Sequence, residues 1–272
     1  MTSPSQIAPL ALTAFYCCAL RAADAARATP VCGDTFAARF MDDETLSRLR
    51  PLLRFRGPSV SNVARHRIID DLVRNALREN SALKIVILGA GLDTRAFRLK
   101  GGQWWELDDA ALIAFKNERL PSHTAPNPLT RIAIDFKSAD LRETLAPLGG
   151  GDTLVILEGV SMYLPAAALT STVTAVRDGL NGAPIVCDLM SPAFRRRFSK
   201  GLHHELKRLG AHFAAIETHP RLVIEAAGYR LKSVISIVDW ARQAGTLRIP
   251  GWLLNTLLRE LRDGYAIHTF VS

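Results

Sequence analysis

The chain has 272 residues, 48% of them hydrophobic and 22% charged, the balance of an ordinary globular enzyme. Its formal charge is +8. Apart from Arg195-Arg196-Arg197, the basic residues are spread out without aromatic interleaving, which favours anionic small molecules as partners over nucleic acid. No apolar run approaches the ~20 residues of a membrane span. The apolar stretch 7–20 lacks the basic lead of a secretion signal, so a cytoplasmic location is expected. The four cysteines, Cys17, Cys18, Cys32 and Cys187, form no Cys-x-x-Cys pair. That spacing argues against zinc and fits reduced thiols.

Helical composition runs over residues 5–26, and a loop holding Pro30 follows. Asp34 is placed to cap a short helix through Phe40, and Asp42-Asp43-Glu44-Thr45 to start another. Residues 51–58 read as irregular, and Ser59 or Ser61 as the cap of a long helix ending near Asn80. Residues 1–80 therefore predict a helical cap ahead of an 81–272 core. Strands are expected at 84–88, 103–107, 131–134, 153–157, 184–187, 229–235 and 265–271. Helices are expected between them, including 166–180, a basic 192–213, 220–227 and 250–262. This alternation predicts an α/β fold, a mostly parallel seven-stranded sheet with helices on both faces. The basic segment near 191–215 reads either as a lid or as a solvated helix face.

The first expected strand runs straight into Gly89-Ala90-Gly91, a strand, glycine turn and helix start of the nucleotide-binding kind. A dinucleotide fingerprint would place Gly or Ala at position 94, where Thr94 stands, and Asp93 would repel a pyrophosphate. A ligand with a cationic end suits the turn better, which points to S-adenosylmethionine. Acids stand at four consecutive strand ends: Glu106 or Asp108, Asp135, Glu158 and Asp188. Ligands of open α/β sheets lie at those ends, and Asp108 has the spacing from the turn of a ribose-binding acid. Asp135 is placed to accept from an adenine amino group, and Glu158 from an ammonium. Strand-end acids also cap helices, but four in register with a glycine turn favour a cofactor site.

Three segments carry a family resemblance: Gly89-Ala90-Gly91-Leu92-Asp93-Thr94-Arg95, Trp105-Glu106-Leu107-Asp108 and Glu158-Gly159-Val160-Ser161-Met162-Tyr163-Leu164. With Arg65-His66-Arg67-Ile68-Ile69-Asp70-Asp71 upstream, and more weakly Asp34-Thr35-Phe36-Ala37, they resemble the leucine carboxyl methyltransferase family. The resemblance implies a Rossmann-like class I methyltransferase fold. It implies cofactor contacts from Arg65, Gly89, Ala90, Gly91, Asp93, Glu106, Leu107, Asp108, Asp135, Phe136, Glu158 and Gly159. Arg65 would pair with the cofactor carboxylate, bidentately as a guanidinium allows. Tyr163 stands near the transfer position and either binds a substrate carboxylate or packs as an aromatic anchor.

A carboxylate acceptor is ionised at neutral pH and needs no general base, whereas a hydroxyl would need one, with His203, His204 and His212 as candidates. The expectation is therefore O-methylation of a small-molecule acid, of polyketide type, to its methyl ester. Its alternatives are a hydroxyl acceptor, a protein C-terminal carboxylate, a nicotinamide-dependent oxidoreductase and a non-catalytic cofactor-binding protein. No metal is expected. Substrate identity and oligomeric state are not legible from the residues.

Overall fold

The computed structural model describes residues 9–136, 140–149, 151–211, 213–214 and 219–272. Residues 5–8 of the expected first helix, His212 and part of the expected lid lie outside them. Seven strands, β1 (Lys84–Leu88), β2 (Gln103–Asp108), β3 (Leu129–Ala133), β4 (Thr153–Leu157), β5 (Ile185–Met190), β6 (Arg230–Ser236) and β7 (Tyr265–Val271), form one sheet in the order β3-β2-β1-β4-β5-β7-β6. β1 to β5 are mutually parallel, and β7 runs antiparallel between β5 and β6. The order reverses between β1 and β4, so their carboxyl ends flank the crevice where open sheets bind ligands.

Strand periodicity sorts the core onto two faces. Ile85 and Ile87 of β1, with Leu154 and Ile156 of β4, belong to one apolar cluster, and Val86, Leu88, Val155 and Leu157 to the other. The first face is covered by α1 (Pro9–Ala25), α2 (Asp43–Leu53), α3 (Arg56–Glu79), α4 (Arg95–Arg98) and α5 (Ala110–Arg119). The second is covered by α6 (Leu141–Leu145) and α7 (Ala166–Gly179). Then follow α8 (Pro192–Phe198), α9 (Lys200–Arg208), α10 (Pro220–Ala226), α11 (Ile237–Gln243), α12 (Gly251–Asn255) and α13 (Arg259–Asp263). Ile68, Ile69, Val73 and Leu77 of α3 are buried against the first face. At about 2 kcal/mol for each aliphatic side chain removed from water, they bind the N-terminal helices to the sheet as one core. No described helix is long and apolar enough to cross a membrane.

Several boundaries differ from the expectation. α2 continues through Pro51 to Leu53, and α3 begins at Arg56 with Phe55 as its N-cap. Pro58 is tolerated there because first-turn N–H groups have no intrahelical partner. Ser59 and Ser61 instead donate their hydroxyls back to the carbonyls of Phe55 and Pro58. The basic helix breaks at Ser199 into α8 and α9, and 250–262 into α12 and α13. β5 runs on to Met190, which places Asp188 inside the strand.

Glu106 is drawn into the core. It is fully buried, with Lys116 Nζ 2.7 Å and Arg131 Nε 2.8 Å from its Oε2. Two cations hold this carboxylate between β2, β3 and α5, away from the ribose role considered for it. Removing one member of a buried ion group leaves its partners uncompensated. Glu106→Gln should therefore lower unfolding free energy by about 3 kcal/mol in urea titration. A change within the noise of the method would mean the group is not a structural tie.

Candidate active site

The glycine turn is stitched to the end of β2. The N–H groups of Gly89 and Ala90 donate to the Leu107 carbonyl at 2.9 and 3.1 Å, and Gly91 N–H donates to Asp108 Oδ2 at 2.6 Å. Gly89 has φ +66°, and a Cβ there would lie 2.6 Å from Val160 Cγ2. The loops after β1 and β4 therefore meet only because residue 89 has no side chain. Gly159 plays the matching part after β4. Its φ is +71°, its N–H donates to Asp188 Oδ1 at 2.6 Å, and a Cβ would press on the Arg65 guanidinium at 3.2 Å.

Beneath these loops lies a chain of buried charges. Arg21 pairs with Asp34 at 2.9 Å, Asp34 approaches Arg98 at 3.4 Å, and Arg98 bonds Asp70 at 2.7 Å. Asp70 bonds Arg95 at 2.7 Å, and Arg95 bonds Asp93 and, at 2.7 Å, Glu158. Glu158 bonds Arg65 at 3.1 Å, and Arg65 bonds Asp188 at 3.1 Å. The Tyr265 hydroxyl lies 2.8 Å from Arg65 Nη1 and 2.7 Å from Asp188 Oδ2. Five carboxylates thus face four guanidiniums, and every one of these side chains is at most 9% exposed. Arg74 reaches Asp70 at 3.6 Å from the solvent side, with its own side chain 40% exposed.

Burial alone would raise the carboxyl pKa values, but the guanidiniums outweigh it. Arg21 and Arg98 hold Asp34 at about 2, and Arg95, His66 and Arg65 hold Glu158 well below the usual range. Asp34, Asp70 and Glu158 are accordingly charged at neutral pH, and the buried group sets five carboxyl groups against four guanidiniums. The donor set therefore fits a cationic ligand better than a pyrophosphate.

His66 sits in the middle of this group. Nδ1 lies 3.1 Å from Glu158 Oε2 and 2.9 Å from Arg95 Nη2, and Nε2 lies 2.7 Å from Arg98 Nη2. A neutral ring satisfies both sides when Nδ1–H donates to Glu158 and Nε2 accepts from Arg98. Burial and then Arg95 push its pKa down, in keeping with that form. His66, Asp93 and Glu158 have ligand atoms within 4.8 Å of one another, the spacing of a metal site. Arg95 lies against all three, so its guanidinium holds the place a metal would take.

The expected site residues fall into groups. Gly89, Ala90, Gly91, Leu107 and Asp108 are joined around the turn, and Arg65, Glu158 and Gly159 around the β4 loop. Asp93 is spent on Arg95, whose backbone N–H also donates to it at 2.7 Å. Asp108 is partly buried, and that burial raises its pKa against two backbone N–H donors, Gly91 and Asp109. Asp135 and Phe136 lie exposed just past β3, Phe136 at 41%. Tyr163 hydrogen-bonds Thr13 of α1 and meets Phe213 edge-on at 5.4 Å, and His203 stacks on the other partner of that pair, Phe213, at 5.1 Å. Sequence reasoning missed Arg21, Asp34, His66, Asp70, Arg95, Arg98 and Tyr265 as members of the site. Arg95 and His66 stood inside the recognised segments, and their charge there was the available signal.

The buried charges set a pH dependence. His66 has a folded pKa below its unfolded value near 6.5, so folding binds fewer protons, and stability falls as pH drops through about 6.5. The depressed carboxylates add a second loss between about pH 4 and pH 2. Urea midpoints measured against pH should show the first step in the native chain and a smaller one in His66→Gln, where His219 and His268, also held below the ordinary value by burial, still contribute. A step of unchanged size in the variant would contradict the neutral-His assignment.

The geometry has known counterparts. The leucine carboxyl methyltransferase family matches over residues 14–177. A Streptomyces avermitilis protein named as an S-adenosyl-L-methionine-dependent methyltransferase is 36% identical over 138 residues, covering 47% of this chain and 46% of that protein. A Streptomyces coelicolor protein of the same designation is 30% identical over 187 residues, covering 61% and 60%. The chain thus spans about half the length of these relatives. Among solved structures, a DUF574 family protein of Streptomyces avermitilis superposes with a TM-score of 0.58 at 10% identity, covering 96% of this chain and 97% of that one. The magnesium protoporphyrin IX methyltransferase of Synechocystis, solved with S-adenosylhomocysteine bound, gives 0.50 at 13% identity, covering 87% and 98%. These likenesses establish the class I methyltransferase fold, and the relatives' cofactor is S-adenosylmethionine. The family match takes in α1 from residue 14 on, the Arg65 helix, the glycine turn and the β4 loop, and on it the chain belongs to the leucine carboxyl methyltransferase family.

Proposed function

We propose that the protein is an S-adenosylmethionine-dependent O-methyltransferase that converts a carboxylate of a small natural product, of polyketide type, to its methyl ester. The observation that carries this reading is the excess of carboxyl groups over guanidiniums buried at the switch point of the sheet, under a glycine turn that cannot take a side chain. When bound, S-adenosylmethionine supplies a methyl group on a sulfonium, an activated donor whose S–C bonding electrons return to sulfur.

This chain's residues then have distinct tasks. Asp108 accepts from the ribose hydroxyls, which requires its ionised form. Asp135 and Phe136 flank the adenine, since β3 is the next strand over from β2. Glu158 has about four acceptor directions, and Arg65, Arg95 and His66 use three of them. It therefore holds Arg65 in place and keeps one direction for the ligand ammonium. Arg65, fixed by Glu158, Asp188 and Tyr265, presents its remaining edge to the cofactor carboxylate. Tyr163 stands over the transfer position.

A carboxylate acceptor suits this site because the histidine at its centre is no base. Both ring nitrogens of His66 are engaged by charged partners. An ionised acid brings its own lone pair, so catalysis is positioning and removal of water. The ring stack from Tyr163 through Phe213 to His203 favours a second reading, a hydroxyl acceptor with His203 as base. The four free thiols, three of them buried, support a reducing, cytoplasmic location.

Calorimetry should show S-adenosylmethionine binding without NAD binding, and Asp108→Ala should weaken it about a hundredfold, as expected for two lost hydrogen bonds to a charged group. Affinity should fall on acidification at a higher pH than for an ordinary carboxylate, because the Asp108 pKa is raised. NAD binding alone, or unchanged affinity in Asp108→Ala, would overturn the cofactor assignment. Intact-mass screening of acids and alcohols with S-adenosylmethionine tests the acceptor. Methyl esters are the expected products, and alcohol methylation lost in His203→Ala would establish the second reading instead.

A further inference from the structure

The face of α1 turned toward α3 carries two features that the cofactor assignment leaves unused. The first is a pair of orphaned polar atoms. Tyr16 is 4% exposed and Asn62 is 7% exposed, yet neither the Tyr16 hydroxyl nor Asn62 Oδ1 finds a hydrogen-bond partner among the described residues. A buried polar group without a partner costs about 1–3 kcal/mol, a cost that a ligand bonding there would remove. Both atoms belong to the neighbourhood of Arg65. Asn62 Nδ2 donates to Cys17 Sγ at 3.0 Å, Arg65 Nη2 reaches the same sulfur at 3.7 Å, and Tyr16 precedes that cysteine on α1. An amide exchanges its O and N by a half-turn, so Asn62 offers the groove either a donor or an acceptor.

The second feature is a cavity of about 290 Å³ further along the same groove. Its walls are aliphatic, from Leu20 and Ala23 of α1, Leu53 of α2, and Val60 and Val63 of α3. Leu20 stands one turn beyond Tyr16 on the same face of α1, and the Asn62–Cys17 bond sets α3 alongside α1 there, so the cavity and the orphaned atoms share one groove between the helices. Tyr16 and Asn62 are not among the residues that line the cavity, and their orphaned atoms lie beside it along the groove, on the Arg65 side. Ser59 and Arg27 line it as well, and Arg27 has a 58% exposed side chain, which places that residue at its mouth. The Asp24 carboxylate beside them is spent on the backbone N–H groups of Val31, Cys32 and Gly33.

We propose that the groove between α1 and α3 is the acceptor site and that it takes an amphipathic monocarboxylate, the Tyr16 hydroxyl donating to the carboxylate while the cavity receives the aliphatic body. This rests on the methyltransferase reading and names its substrate class. Tyr16 acts as a specificity residue. It donates to the carboxylate oxygen that does not attack and leaves the other oxygen's lone pair to form the new bond to the methyl carbon. No proton has to leave.

Calorimetry with octanoate on the S-adenosylhomocysteine-loaded protein tests the inference without turnover. Octanoate should bind at least about tenfold more tightly than octanol, which has the chain without the charge. Tyr16→Phe, which keeps the ring, should weaken octanoate about tenfold, the value of a hydrogen bond to a charged group. Val60→Phe, which fills the cavity, should weaken octanoate by a similar factor. S-adenosylhomocysteine affinity should stay the same in both variants, which also reports that they fold. Equal binding of octanol and octanoate, or unchanged octanoate affinity in either variant, overturns the proposal. S-adenosylhomocysteine binding without octanoate binding overturns it alone, whereas failure of the native chain to bind S-adenosylhomocysteine overturns the cofactor reading and this inference together.

Discussion

The structure depends on the Arg95 guanidinium. It is wholly buried and lies against Asp70 of α3, Asp93 of the glycine loop and Glu158 of the β4 loop. A charge removed from water is tolerated only when opposite charges and hydrogen bonds replace its hydration. Three carboxylates from three segments do so here, and they must stay in place for the guanidinium to remain buried. The N-terminal helices, the glycine turn and the β4 loop are therefore locked together at one point. The crevice between β1 and β4 takes its shape from that lock.

The same group explains how a site for a cation can be built in advance. Arg65, Arg95 and Arg98 fix the carboxylates, and the carboxylates outnumber them. The surplus is spread along a chain of ion pairs from Arg21 to Asp188, so no single acid stands isolated at full desolvation cost. A ligand that carries net positive charge completes the group, whereas a pyrophosphate would add to its negative charge. Glycines at 89 and 159 then let the two loops close on each other and on Arg65. The backbone and the charges point to the same ligand for separate reasons.

Much of the fold was legible in the residues. Runs such as Ile85-Val-Ile-Leu88 and Thr153-Leu-Val-Ile-Leu157 are buried on both faces, and continuous apolar strands followed by helical periods specify a parallel sheet. β7 and β4 stand at their expected bounds. Helix ends were less legible. Phe55 caps α3 without a side-chain bond, and α2 accommodates Pro51, because tertiary packing decided both. Within the site, the turn and its acids were visible as motif. Their pairings were not, because ion pairs between residues 93 positions apart, such as Arg65 and Glu158, leave no periodic trace. Glu106 illustrates the limit. Its place in the strand matched that of Asp108, and only the presence of Lys116 and Arg131 shows that it belongs to the core.

The central claim is that five buried carboxyl groups, Asp34, Asp70 and Glu158 among them held ionised, a neutral His66 and four guanidiniums form a group ready to receive a cation. Calorimetry of S-adenosylmethionine binding at pH 7, repeated in buffers of different ionisation enthalpy, reads the protons exchanged on binding. The binding enthalpy should be independent of buffer, with essentially no proton released. Release of about one proton per cofactor bound would show a carboxyl or His66 protonated in the free protein, and would contradict the claim.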